Sequence, residues 1–124
     1  MSEEVYVSFE TAKLLKEKGF DWKTTECYSP HGGNYRFSHG IAEICGIEQY
    51  PRPTQQMACK WLRETHGLWV IPMPCENGEC YFEIYKRYGE IWKNDVYDHT
   101  EYEDFDEPEY AVEAALQYCL TNLI

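Results

Sequence analysis

Apolar side chains return at three- and four-residue spacing in three stretches of this chain, the signature of a helix with one buried face. In the first, Ala12, Leu14 and Leu15 make the stripe, Ser8 stands where the free N–H groups need a cap, and Lys16 and Lys18 put positive charge at the C-terminal end. Gly19 then stops the helix and Phe20 folds back on Leu15, so the pattern predicts a helix over 9–18 closed by a Schellman motif. In the second, Met57, Ala58, Trp61, Leu62 and Thr65 share one side, between a Thr54 cap after the Pro51-Arg52-Pro53 breaker and a stop at Gly67. His66 suits the negative end of that helix, and Leu68 is expected to fold back on Leu62. In the third, Val112, Leu116, Cys119 and Leu123 line a face that runs nearly to the C-terminus, with Ala111, Ala114 and Ala115 allowing close approach. Asp106 and Glu109 read as its capping box, flanked by Phe105 and Tyr110 as a hydrophobic staple.

Elsewhere the pattern is that of strands. Residues 68–74 and 80–88 are β-prone runs around Glu76-Asn77-Gly78-Glu79, a hairpin signal. With Cys75 opposite Cys80, Met73 faces Phe82 and Ile71 faces Ile84, which predicts one continuous apolar side. Pro72 and Pro74 cannot donate ladder hydrogen bonds, so 68–74 is expected at a sheet edge with both prolines in non-bonded positions. A second hairpin is expected from 24–29 and 35–38 around Pro30-His31-Gly32-Gly33-Asn34, and residues 5–7 offer a further strand. Ile41, Ile44 and Ile47 suit either a short helix or an anchored loop, and residues 91–104 carry no clear period. Together these elements predict an α+β fold over a single domain, 1–124, in which about three helices pack on one face of a mostly antiparallel sheet.

Composition sharpens this picture. Aromatics are 16% of the residues, above ordinary usage, so large rings must fill much of the core. No apolar run approaches the roughly 20 residues that span a bilayer, and the acidic start Met1-Ser2-Glu3-Glu4 is unlike a signal peptide. The expected place is therefore the cytoplasm, where six cysteines remain thiols. A net charge of -11 repels phosphate backbones and anionic lipids, so neither direct nucleic-acid binding nor membrane association is expected, while a basic protein partner is permitted. Oligomeric state has no signature in the sequence.

Candidate chemistry is sparse. Six cysteines and four histidines invite a structural zinc, yet there is no C-x2-C pair, and Cys27-x3-His31 and Cys75-x4-Cys80 are the only close approaches. Cys75 and Cys80 are also conceivable as a redox pair across their hairpin, against which Glu76 and Glu79 raise the thiol pKa by like charge. No nucleophile elbow, phosphate-cradling loop or H-E-x-x-H occurs, so no catalytic residue, metal or cofactor is expected. The most unusual stretch is 94–109, which interleaves carboxylates with rings. From it Tyr97, Asp98, Glu101, Tyr102, Glu103 and Asp104 are the expected binding residues, joining long-range attraction for a basic surface to rigid aromatic anchors. The opposing reading turns those rings into the core and leaves the carboxylates wet.

Three segments carry a resemblance. They are Thr11-Ala12-Lys13-Leu14-Leu15-Lys16-Glu17-Lys18-Gly19-Phe20, then Pro53-Thr54-Gln55-Gln56-Met57-Ala58-Cys59-Lys60-Trp61-Leu62-Arg63-Glu64, then Tyr110-Ala111-Val112-Glu113-Ala114-Ala115-Leu116-Gln117-Tyr118-Cys119-Leu120. In these helices the chain resembles a group of small uncharacterised proteins encoded by phages and prophages of gut Bacteroidetes. The resemblance implies a mobile-element setting in a bacterial cytoplasm and brings no activity with it. The expected function is that of a non-enzymatic accessory or protein-interaction domain with an acidic, aromatic surface; the alternative is a small metal-binding (zinc) or catalytic domain.

Overall fold

The computed structural model describes residues 5–37, 43–88, 91–93 and 105–124. Its helices are α1 (Phe9–Glu17), α2 (Gln55–His66) and α3 (Pro108–Tyr118), and its strands β1 (Glu26–Tyr28), β2 (Asn34–Arg36), β3 (Tyr50–Pro51), β4 (Leu68–Pro74), β5 (Cys80–Tyr88) and β6 (Ile91–Lys93). Every strand pair among the described residues is antiparallel, so the fold is α+β. Instead of one sheet the strands make two, ordered β2-β1-β3 and β4-β5-β6. By its contacts the chain divides into two compact units, Met1–Ala58 and Cys59–Ile124.

In the first unit α1 begins and ends as its sequence predicts. The Ser8 side chain accepts a hydrogen bond from the Thr11 N–H. At the other end Phe20 N–H donates to Leu15 O and Gly19 N–H to Lys16 O, the two bonds of a Schellman motif. Val7, Ala12, Leu15, Phe20 and Cys27 are buried, and the Tyr28 hydroxyl donates to Val7 O at 2.6 Å, fixing the chain before α1 against β1. Residues 5–7 form one bridge, Tyr6 with Thr54, instead of a strand. In the β1–β2 hairpin Gly32 N–H donates to Ser29 O and Ser29 N–H to Gly33 O, around a three-residue loop whose last member, Gly32, has φ +90°. That is a type I turn with a glycine bulge. The segment 43–49 is a loop in which Ile44 and Ile47 are exposed and anchor nothing; the Lys16 ammonium holds it by donating to the carbonyls of Gly46, Ile47 and Gln49. Ile41 lies outside the described residues.

A buried carboxylate crosses this sheet. Glu26 on β1 is 8% exposed and accepts from Arg52 through one oxygen and from Arg36 through the other. Arg52 also lies over the Tyr6 ring, 4.1 Å from its centroid, and its Nε is buried without a hydrogen-bond partner among the described residues.

In the second unit the β4–β5 register departs from expectation by one residue. Pro74 faces Cys80, Pro72 faces Phe82 and Val70 faces Ile84, where the sequence predicts Cys75 opposite Cys80. The turn decides it: Gly78, at φ +87°, closes a three-residue loop in which Gly78 N–H donates to Cys75 O and Cys75 N–H to Glu79 O. The Asn77 side chain accepts from the Glu79 N–H and favours the same turn. Both prolines still occupy non-bonded positions relative to β5, so their nitrogens face the open edge and deny donors to any further strand. β4 is accordingly an edge of the sheet among the described residues, as expected.

The slip exchanges faces. Leu68, Phe82 and Ile84 are buried on the side that meets α3, whose own buried residues are Ala111, Ala115 and Leu116. Val112, expected in that stripe, is only half-buried. The start of α3 also moves. Pro108 forces the residue before it into extended backbone, Glu107 has φ -132° and ψ 148°, and the N-cap therefore falls on Glu107 instead of Asp106. Glu107 makes no side-chain cap bond, and Tyr110 is 59% exposed, so the staple is absent. Phe105 instead bridges Cys80 by two backbone hydrogen bonds and rests on Phe82, ring centroids 6.3 Å apart. Beyond Tyr118 the helix widens into a π-helical segment, Cys119–Leu123, with Cys119 and Leu120 buried.

α2 ends at Gly67, whose N–H donates to Arg63 O, and its last residue is held less simply than a helix-end histidine. His66 packs edge-on to the buried Trp61 at 4.9 Å, and its Nε2 is buried without a hydrogen-bond partner among the described residues. Burial first, and Lys86 second, lower its pKa below the ordinary value of 6.5. The unfolded chain thus takes up a proton at a pH where the folded chain does not. Stability is full above pH 6.5 and falls as the pH drops through 6.5 toward the lower folded value. Urea denaturation of the wild type and His66→Gln from pH 7.5 to 5.0 is expected to show the wild type losing stability relative to the variant only below about pH 6.5.

Candidate functional site

Of the expected binding residues, Tyr97, Asp98, Glu101, Tyr102, Glu103 and Asp104 all lie outside the described residues. Their flanks are placed. On one side β6 pairs with Lys86, Arg87 and Tyr88 of β5; on the other Phe105 pairs with Cys80 at the far end of the same strand. Both ends of the acidic stretch are therefore fastened to the edge of β5 away from β4, six residues or roughly 20 Å apart.

The sulfur atoms do not assemble a centre. All six cysteines are free, and among the described residues no three His, Cys, Asp or Glu side chains gather as a metal site. Cys27 is buried with its thiol pushed up by burial, partly opposed by a hydrogen bond with Tyr35, whereas His31 sits exposed in the turn. Burial raises Cys45 against the pull of Lys16, takes Cys59 to about 11 despite Arg63, and takes Cys119 to about 12 with Cys59 adding to it. Thiols so protonated are poor nucleophiles. The observed register sends Cys75 and Cys80 to opposite sides of the ribbon, since Cys75 closes the turn with Glu79 while Cys80 faces Pro74; they are not the cross-strand pair the expected register would make.

What the register does assemble is a surface. Opposite the α3-covered side, β4 presents Trp69, Ile71 and Met73, and β5 presents their partners Tyr85, Glu83 and Tyr81. Trp69 is 40% and Ile71 36% exposed, and the other four are half-buried. Glu83 stands in the middle of this set. The Tyr85 hydroxyl donates to its carboxylate at 2.5 Å, and among the described residues no lysine or arginine pairs with it. Arg63 lies over the Trp69 ring at 5.0 Å, holding the indole at the rim. A carboxylate oriented by a phenol and bordered by rings and a branched aliphatic suits a partner's arginine or lysine, whose stem packs on apolar surface while its head is paired.

Sequence reasoning missed this face because it put Ile71 and Met73 inside. The signal that finds it is Gly78, since a glycine as third loop residue favours the three-residue turn and shifts every pairing by one. Compared with family models, with curated proteins and with solved structures, the chain matches none.

Proposed function

We propose that this chain is a non-enzymatic interaction protein that docks a basic protein surface on the open side of β4 and β5. The acidic, aromatic stretch containing Asp98, Glu101, Glu103 and Asp104 supplies long-range attraction, in the phage or prophage setting implied by the resemblance of the three helices. The observation that carries this reading is Glu83, a carboxylate without a cationic partner among the described residues, set among Trp69, Ile71, Tyr81 and Tyr85. Aromatic anchors around a desolvated polar contact are the usual composition of a binding hot spot. The net charge of -11 favours a basic partner over an acidic one.

The test is affinity capture from a lysogenic bacterial host with the wild type, Glu83→Lys, Trp69→Ala and a variant neutralised at Asp98, Glu101, Glu103 and Asp104. A basic protein is expected on the wild type, with capture falling as salt rises, lost on Glu83→Lys, and weakened tenfold or more, about 1.4 kcal/mol, on Trp69→Ala. The four-residue variant should slow association more than it speeds dissociation. Capture unchanged by Glu83→Lys and by the neutralised variant alike would sink the proposal.

A further inference from the structure

The first unit holds a cavity of about 250 Å³ lined by Tyr6, Lys23, Thr24, Thr25, Arg52, Pro53, Thr54 and Met57. Its electrostatics run against those of the chain. Among the described residues no carboxylate lines it, while Lys23 and Arg52 do. Arg52 shares the single carboxylate of Glu26 with Arg36, so those three groups keep one positive charge, and Lys23 adds a second, in a protein whose net charge is -11. Thr54 and Met57 belong to the start of α2, a twelve-residue helix whose positive end faces the same space.

Several donors along this lining are already engaged, and others are held ready. Thr24 Oγ1 has given its proton to Glu26 O, and the N–H groups of Gln55 and Met57 are spent on Val5 O and Thr54 Oγ1. The Thr54 hydroxyl accepts from Met57 and keeps its own proton to donate. The Lys23 ammonium is exposed and enters no ion pair among the described residues. Arg52 is held in place by Glu26 and by the Tyr6 and Tyr28 rings, so its cation is preorganised. The Tyr6 ring, Pro53 and Met57 complete the cavity with apolar surface.

We propose that this cavity binds a small organic oxyanion, a phosphate monoester or carboxylate on a compact apolar body, with Lys23, Arg52 and Thr54 facing the anion and Tyr6, Pro53 and Met57 the body. The volume lies just under the usual range of small-molecule sites, which limits the ligand to roughly a dozen non-hydrogen atoms.

Phenyl phosphate, benzoate, inorganic phosphate and the neutral analogue benzyl alcohol, each titrated into the intact 15N-labelled protein, test it. Phenyl phosphate or benzoate is expected to shift the amides of Lys23, Thr24, Thr25, Thr54 and Met57 and to saturate, whichever binds tighter naming the head group. Inorganic phosphate should bind at least about fivefold more weakly than phenyl phosphate, for want of the apolar body. Lys23→Gln, at an exposed position that leaves the fold intact, should weaken binding by about fivefold, and Lys23→Glu further. Benzyl alcohol binding as tightly as the anions, saturation unaltered by Lys23→Glu, or no saturation by any anion at 10 mM (about -2.7 kcal/mol) overturns the assignment.

Discussion

Glu26→Ala is expected to destabilise the first unit by about 3–5 kcal/mol, among the largest losses a single substitution in this chain produces. The Glu26 side chain is 11% exposed and is the only anion that Arg52 reaches among the described residues. Removing it leaves a largely buried guanidinium, already short of a partner at Nε, with no opposing charge. The cost is the desolvation of Arg52, not the lost attraction, and three variants separate these. Arg36→Ala should change stability by less than about 1 kcal/mol, because the Arg36 side chain is 64% exposed and water replaces its contact. Glu26→Gln should fall between, keeping a hydrogen-bond acceptor without the charge. Glu26→Leu combined with Arg52→Met, which removes both charges and keeps the volume, should recover most of the loss. Urea denaturation read by circular dichroism, with amide exchange on β1, measures all four. Glu26→Ala within about 1 kcal/mol of the wild type would show that Glu26 is far wetter than its burial implies.

Much of the fold is legible in the residues, and the failures share a cause. Ser8, Gly19 and Phe20 specify both ends of α1 because capping is local chemistry: each bond joins residues three to five apart, and no tertiary partner is needed. The edge position of β4 is equally local, since a proline lacks its donor whatever surrounds it. The β4–β5 register is not local in that sense. Two registers one residue apart both offer a tolerable apolar side, and the choice rests on whether Gly78 closes three residues or sits inside a loop of four. At α3 a strong motif, Asp106 with Glu109, yielded to a stronger constraint, the steric rule on the residue before Pro108. β3 and β6, at two and three residues, have too little length for a period to register, and they exist because β1 and β5 offer them ladder bonds. The interaction face around Glu83 was hidden for a related reason. A glutamate between Phe82 and Ile84 reads as an interruption of an apolar run, and becomes the centre of a surface only once the register sets Ile71 opposite it, in place of Pro72, with Trp69 and Met73 on the same side.

Phe82→Ala is the second substitution with a large expected effect, about 3–5 kcal/mol, and it separates scaffold from contact in the proposed interaction. Phe82 is 1% exposed, faces Pro72 across the ladder and touches Phe105, while β5 is the central strand on which β4, β6 and Phe105 all pair. Truncating it leaves a cavity that backbone hydrogen bonds keep from collapsing. With a denaturant slope of about 1–3 kcal/mol per molar, the urea midpoint should drop by roughly 2 M. The Cys80–Phe105 bridge loses the ring contact that supports it, so protection from amide exchange should fall at Cys80 and Phe105 before the rest of β5. Trp69→Ala, on the other side of the same sheet at 40% exposure, should move the midpoint by under about 0.5 M, yet weaken capture of the basic partner tenfold or more. If the two swap character, with Trp69→Ala unfolding the sheet and Phe82→Ala sparing it, then the side bearing Trp69 and Glu83 is the interior one and the docking surface around Glu83 falls with it.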